Sequence, residues 1–248
     1  MIDILTFIAI VIVCIFAAFI GSMVGGGGLI SIPFLIFVGV PAQIAVATNK
    51  FGGIGLSFGS LPAYWKSKQI QWCYVLPFSI IAFVAALIGA NILISFPAQL
   101  LEEVIGVILL LLLPILLIEK RLGITQKKIS PTMKAIGYIL FFLIEIWGAF
   151  FGAGSAVALF FVLMSFFGFT IIQASATTKI PGLVLGITSI VIYATNGIID
   201  YWVGLAIFIG MLIGGHLGAS TAVLKGNKWV KVIFMGIVLA SAIKLLVF

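Results

Sequence analysis

Charge is scarce in this chain. Only 8% of its 248 residues are Asp, Glu, Lys or Arg and 64% are hydrophobic, whereas a water-soluble domain carries about 25% charged residues, so a soluble globular fold is excluded. Histidine occurs once, at His216, which rules out paired-histidine metal motifs, and packing or an interfacial position suits it better than a proton relay. There is no Gly-x-Ser-x-Gly elbow and no phosphate loop ending in Gly-Lys-Ser/Thr. Neither hydrolytic nor ATP-driven chemistry therefore has a place to reside, and the chain reads as a non-enzyme without metal or cofactor. The two cysteines, Cys14 and Cys73, sit in or beside apolar runs without ligand spacing, so they read as packing residues rather than a disulfide or a zinc site. A basic leader is also missing, and the apolar run from Ile4 to Ile20 is expected to stay in the mature protein.

What remains is apolar sequence in membrane-sized pieces. Segments fall at about 2–24, 29–40, 43–64, 72–95 and 98–118, then at 133–151, 155–168, 171–195, 200–222 and 228–248. A span takes about 20 apolar residues, so an all-α, polytopic integral membrane protein of about eight to ten membrane segments is expected, in the cell membrane. Its partners are then the lipid bilayer and a small solute. The net charge of +7 reads as a topology signal and not as a nucleic-acid footprint, because the cations fall in short loops.

The chain divides into a first membrane repeat, 1–118, a cytoplasmic linker, 119–132, and a second membrane repeat, 133–248. Setting each position against the one 129 residues later aligns Gly39 with Gly168, Gly53 with Gly182, Tyr64 with Tyr193 and Ile70 with Ile199. The densest match pairs Ala45-Val46-Ala47-Thr48-Asn49-Lys50 with Ala174-Ser175-Ala176-Thr177-Thr178-Lys179. Upstream, Gly25-Gly26-Gly27-Gly28 aligns with Gly152-Ala153-Gly154 at an offset of 127. Thr and Lys are rare here, so their recurrence in order beside a Gly break points to duplication.

Charge gives the orientation of the copies. Ten of the thirteen cations lie in three connections: Lys66 and Lys68; Lys120, Arg121, Lys127, Lys128 and Lys134; and Lys225, Lys228 and Lys231. The connections at 95–98 and 195–200 have none, and Asp200, Glu102 and Glu103 lie beside them. The positive-inside rule puts the basic loops in the cytoplasm. The loop after Tyr64 is then inside and its mate after Tyr193 outside, so the halves are inverted, with both termini outside. Re-entrant short segments at 29–40 and 155–168 would by this count leave four crossings per half and parallel copies.

The chemistry concentrates at the breaks. Twelve residues from Leu29 to Val40 make about 18 Å of helix, short of a hydrocarbon core of about 30 Å. Consecutive glycines interrupt the chain just before them, and Pro33 and Pro41 add further breaks. Broken backbone at membrane depth is tolerated when buried in protein or lining a wet cavity, and paired short segments in two halves mark a transport site. A helix starting after such a break offers N–H groups and partial positive charge to an anion. Close helix packing is the competing account of the glycines. Lys50 and Lys179 lie about seven residues inside their segments, where an ammonium costs about 2.5–3.5 kcal/mol; either they reach back to the interface or they serve the solute. The substrate-binding candidates are Gly25, Gly26, Gly27, Gly28, Thr48, Asn49 and Lys50 in the first half, with Gly152, Gly154, Ser155, Thr177, Thr178 and Lys179 in the second. Glu145, the acid deep in a segment, is a candidate for coupling or for a structural ion pair. An anion channel and a non-transporting scaffold stand as the rival functions.

The Gly25–Gly28 run with Pro33 and Gly39, then Ala47-Thr48-Asn49, then Gly152-Ala153-Gly154 with Gly168 and Ala176-Thr177-Thr178-Lys179, together resemble the sulfite exporter TauE/SafE family of membrane permeases over nearly the whole chain. Ser155 departs from the fuller glycine pattern in the second copy. The resemblance implies a bacterial or archaeal cell-membrane permease for sulfur-containing anions such as sulfite or organosulfonates, often moving them outward. Sulfite as the solute comes from the resemblance alone; the preference for an anion also follows from the lysines and the helix starts.

Overall fold

The computed structural model describes residues 3–96 and 123–247. The segment expected at 98–118 and the first part of the linker lie outside the described residues. Among them every regular element is a helix: α1 (Ile4–Val24), α2 (Gly28–Phe37), α3 (Ala42–Lys66), α4 (Trp72–Ser95), α5 (Pro131–Phe150), α6 (Ser155–Phe166), α7 (Ile171–Thr177), α8 (Lys179–Thr195) and α9 (Tyr201–Val247). Five stretches among the described residues are long and apolar enough to cross a bilayer, namely Ile4–Val24, Trp72–Ser95, Pro131–Phe150, Ile171–Thr195 and Tyr201–Ile233. On α1, Leu5, Ile8, Ile12 and Phe16 face outward while Ile10, Cys14, Ala17 and Ala18 are buried. Such an apolar outer face would be untenable in water and is what lipid requires. The protein is a multi-pass membrane protein.

Local chemistry sets the helix ends. Asp3 caps α1 by accepting from the Thr6 N–H at 3.0 Å, Ser130 caps α5 ahead of Pro131, and Thr170 with Gln173 forms a reciprocal capping box on α7. Thr178 separates α7 from α8 because Pro181 has no N–H for the Thr177 carbonyl and its ring crowds it. The equivalent position in the first half is Gly52, and α3 runs unbroken. Gly226, at φ 79° and ψ 173°, interrupts α9, dividing it where the sequence separates 200–222 from 228–248. Cys14 is buried as expected, but Cys73 is exposed, on the outer face of the first turn of α4.

The two halves are threaded through each other. α1 and α3 pack chiefly on α9 from the second half, and α4 packs on α5 and α8; the repeat turns the first set of pairs into the second. Hydrogen bonds repeat as well. Tyr64 donates its hydroxyl to the Ser22 carbonyl at 2.6 Å and Tyr193 donates to the Ala149 carbonyl at 2.7 Å. Thr48 Oγ1 accepts from the Asp200 N–H at 3.0 Å and Thr177 Oγ1 accepts from the Gln71 N–H at 3.0 Å. The Tyr64 bond is one turn from Lys66 and Lys68, whereas the Tyr193 bond is one turn from the connection to Asp200. Equivalent features thus sit at opposite ends, as inverted copies demand. Buried neutral hydrogen bonds contribute about 1 kcal/mol each, so Tyr64→Phe and Tyr193→Phe should each lower stability by about that amount and add in the double variant. Thermal unfolding in detergent measures it.

The basic connections gather at one end. Lys127 N–H donates to Gly168 O and Ile171 N–H to Gly123 O, each at 2.9 Å. Asn227 ties Ile124 O to Ile172 N–H, and the Lys134 ammonium lies 5.6 Å from the Tyr74 ring centre. At the other end Phe7 of α1 meets Trp202 at 4.9 Å and Phe51 of α3 meets Tyr201 at 5.5 Å. The start of α1 and the start of α3 therefore share an end, so α2 carries the chain back toward the side where α1 began. Phe167, just past α6, likewise returns to Tyr138 near the start of α5, at 5.0 Å. Short return arms and inverted halves coexist here because each short helix closes a hairpin with the long helix before it, leaving the parity of the remaining crossings untouched.

Candidate functional site

The two Gly breaks meet inside the protein. A Cβ on Gly25 would lie 2.9 Å from the Ala156 carbonyl carbon, and one on Gly28 would lie 3.3 Å from Ala153 Cα, so each break crosses the start of the other half's short helix. Beside this crossing is a cavity of about 210 Å³, many times the roughly 10–15 Å³ that one water needs.

Its walls follow the repeat. From α3 come Asn49, Lys50, Gly53, Leu56 and Ser57; from Thr178 and the first turns of α8 come Thr178, Lys179, Gly182, Leu185 and Gly186, each 129 residues later. Gly21, Gly25 and Gly28 are matched at the offset of 127 by Gly148, Gly152 and Ser155. The cavity therefore lies on the local twofold axis, where the start of α2 leaves the N–H groups of Gly26, Gly27 and Gly28 without a backbone acceptor among the described residues.

Of the residues singled out in the sequence, Gly25, Gly26, Gly27, Gly28, Asn49, Lys50, Glu145, Gly152, Ser155, Thr178 and Lys179 line this cavity. Thr48, Thr177 and Gly154 do not. Successive helical residues turn by about 100°, so Thr48 and Thr177, two positions before their lysines, face the opposite way. Their hydroxyls hold the connections into α9 and α4 instead. Gly154 has φ 78° and ψ −18° at the start of α6, a left-handed conformation that glycine adopts without penalty, and its carbonyl accepts from Val157 and Ala158.

Gly53 and Gly182 were visible as repeat mates but not as wall residues. A Cβ on either would meet nothing within 4 Å. Here glycine leaves space for the cavity, while at Gly52, against Ile207, and Gly59, against Leu212, it permits close packing on α9. Both uses of glycine occur on one helix.

Neither lysine reaches the interface. Lys50 donates to the Gly148 carbonyl, with its ammonium attracted to the Glu145 carboxylate. Lys179, 5% exposed, has the Tyr64 ring face 5.8 Å away and no hydrogen-bond acceptor among the described residues. Tyr64 is itself fixed, donating to Ser22 O and accepting from Ser175 Oγ at 3.2 Å. Asn49 Oδ1 is also buried and, among the described residues, without a partner. A cation–π contact of this kind is worth about 0.5–2 kcal/mol, less than the cost of an ammonium at membrane depth. No group of three His, Cys, Asp or Glu among the described residues could hold a metal ion.

The profile of a family described as sulfite exporter TauE/SafE matches residues 10–245. Curated relatives share this length. The probable membrane transporter protein ORF9 of Sinorhizobium sp is 25% identical, the match covering 93% of this chain and 88% of that protein. A probable membrane transporter protein of Haemophilus influenzae is 23% identical, over 87% and 84% of the two chains. The probable membrane transporter protein YfcA of Escherichia coli is 25% identical, over 93% and 85%. No solved structure matches the chain significantly.

Proposed function

The chain belongs to the sulfite exporter TauE/SafE family, whose relatives are named membrane transporters, and from that premise we propose that it moves a small sulfur-containing oxyanion, such as sulfite or an organosulfonate, by alternating access around the twofold cavity. The observation that carries this reading is the Lys179 ammonium. It is buried at the wall of a cavity, it has an aromatic face and, among the described residues, no acceptor, and it stands near helix starts with orphan N–H groups. A solute bearing oxygens and negative charge supplies what every one of these groups lacks.

Inverted repeats around a midplane site suit a carrier whose halves rock against each other. Export is the direction this reading assigns, since an inside-negative potential drives each negative charge outward with about 2.3 kcal/mol per 100 mV. Two measurements test it. Sulfite or an organosulfonate should raise the thermal transition in detergent, by about 2.7 kcal/mol of added stability at a hundred times Kd, where chloride does not. Proteoliposomes should show saturable sulfite counterflow. Conductance without counterflow would make the protein an anion channel, and no stabilisation with no flux would leave it a scaffold.

A further inference from the structure

Repeat symmetry makes the exception to it informative. Almost every polar wall position has a polar or glycine mate, but the position 127 residues before Glu145 is Ala18, fully buried. One half therefore brings a carboxylate to the cavity and the other brings nothing in its place. The cavity holds two ammonium groups, Lys50 and Lys179, and one carboxylate, Glu145. With all three ionised the walls carry a formal charge of +1; with a proton on Glu145 they carry +2.

The surroundings of Glu145 are simple. It is 6% exposed, and among the described residues its carboxylate has no hydrogen bond, only the attraction of Lys50 on α3. Lys179 of α8 lies on the same cavity wall, while α4 and α6 contribute no titratable side chain to it. On α5 itself Lys134 and Tyr138 lie near the other end of the helix, toward Tyr74 and Phe78 of α4. Adding a proton to Glu145 breaks no hydrogen bond and frees Lys50 to face the solute. At membrane depth the total charge of walls and solute should stay near zero, because uncompensated charge is costly there.

We infer that Glu145 is a proton site that matches the cavity to the charge of the anion: a singly charged sulfonate binds with Glu145 ionised, whereas a doubly charged oxyanion brings one proton onto the Glu145 carboxylate and travels with it. The proton comes from water on the loading side, forms an O–H bond to the carboxylate, and returns to water on the releasing side. A dianion with one proton crosses as a net charge of −1, so an inside-negative potential still favours its exit. This inference rests on the transport reading above and adds a coupled proton to it. Binding of dianion and proton is mutually reinforcing, and couplings of this kind change affinity about 5- to 150-fold.

The test uses the full chain in proteoliposomes at clamped voltage, with internal pH read by a trapped dye, at pH about 8 where sulfite is mostly the dianion. Wild type should move protons with sulfite and none with methanesulfonate. In Glu145→Gln, fixed in the neutral form, the number of protons carried per sulfite should fall to zero at whatever rate sulfite still crosses, and methanesulfonate flux should drop. An undiminished ratio in that variant, which would mean protons riding on bisulfite, overturns the inference, as does a wild type that carries sulfite without protons. Should the variant fail to assemble, infrared difference spectra of the wild type decide: sulfite should raise a protonated-carboxyl C=O band that methanesulfonate does not, and a missing band overturns the inference. Absence of any anion flux in the wild type would instead overturn the transport reading itself.

Discussion

Lys179→Met is expected to abolish anion transport while leaving the protein folded and no less stable than wild type. Truncating one partner of a desolvated charge pair costs about 2–5 kcal/mol, so counterflow should fall by two to three orders of magnitude. The fold, by contrast, loses an ammonium held at membrane depth by one ring face, and relief of a burden of about 2.5–3.5 kcal/mol should leave the thermal transition unchanged or raised. A structural lysine would behave in the opposite way, with stability and transport dropping together. Lys179→Arg restores charge but not the compact ammonium, so it should recover part of the flux. Counterflow and thermal unfolding on the same preparations read both arms.

Gly25→Ala is expected to produce the largest loss of stability. Gly25 has φ 78° and ψ −172°, a region open only to glycine, where another residue costs about 1–3 kcal/mol. Its new Cβ would also lie 2.9 Å from backbone at Ala156 and 3.0 Å from the Val157 nitrogen, and overpacking against backbone adds about 1–3 kcal/mol. The sum, about 2–6 kcal/mol, falls on the point where the two breaks cross. Gly182→Ala makes the control, since its Cβ would enter open space inside a helix and alanine there is favoured by about 1 kcal/mol. If both variants unfold alike, glycine at the cavity wall is serving packing and the distinction drawn between the two kinds fails.

Much of the architecture could be read from the residues because duplication writes the same rare letters twice. The Gly breaks, the Lys50 and Lys179 pair and the inversion of the halves were accessible from spacing and loop charge. Which neighbours of those lysines face the cavity was partly accessible too: Thr48 and Thr177 sit two residues away, and helical rotation alone sends them to the far side. What could not be read was any fact that depends on helices from different halves. Lys50 reaches Gly148, one turn from Glu145, only because its side chain crosses from α3 to α5, and no periodicity within either helix encodes that placement. The break between α7 and α8 was written in Pro181, yet its lack of a counterpart at Gly52 shows that the copies have drifted in backbone as well as in side chains.

The close meeting of α1 with α9 constrains how the protein is made. Gly210, Gly214 and Gly218 of α9 press on the backbone of α1 at Val11, Ile15 and Phe19, so α1, made well before α9, waits for it before its buried face is covered. Lys50 likewise resides in a half-built bundle until α5, which carries Glu145, is translated. A nascent chain stopped after the first repeat would thus be an open template, and co-expressing the two repeats as separate polypeptides should yield a competent particle only where both arrive in the same patch of bilayer.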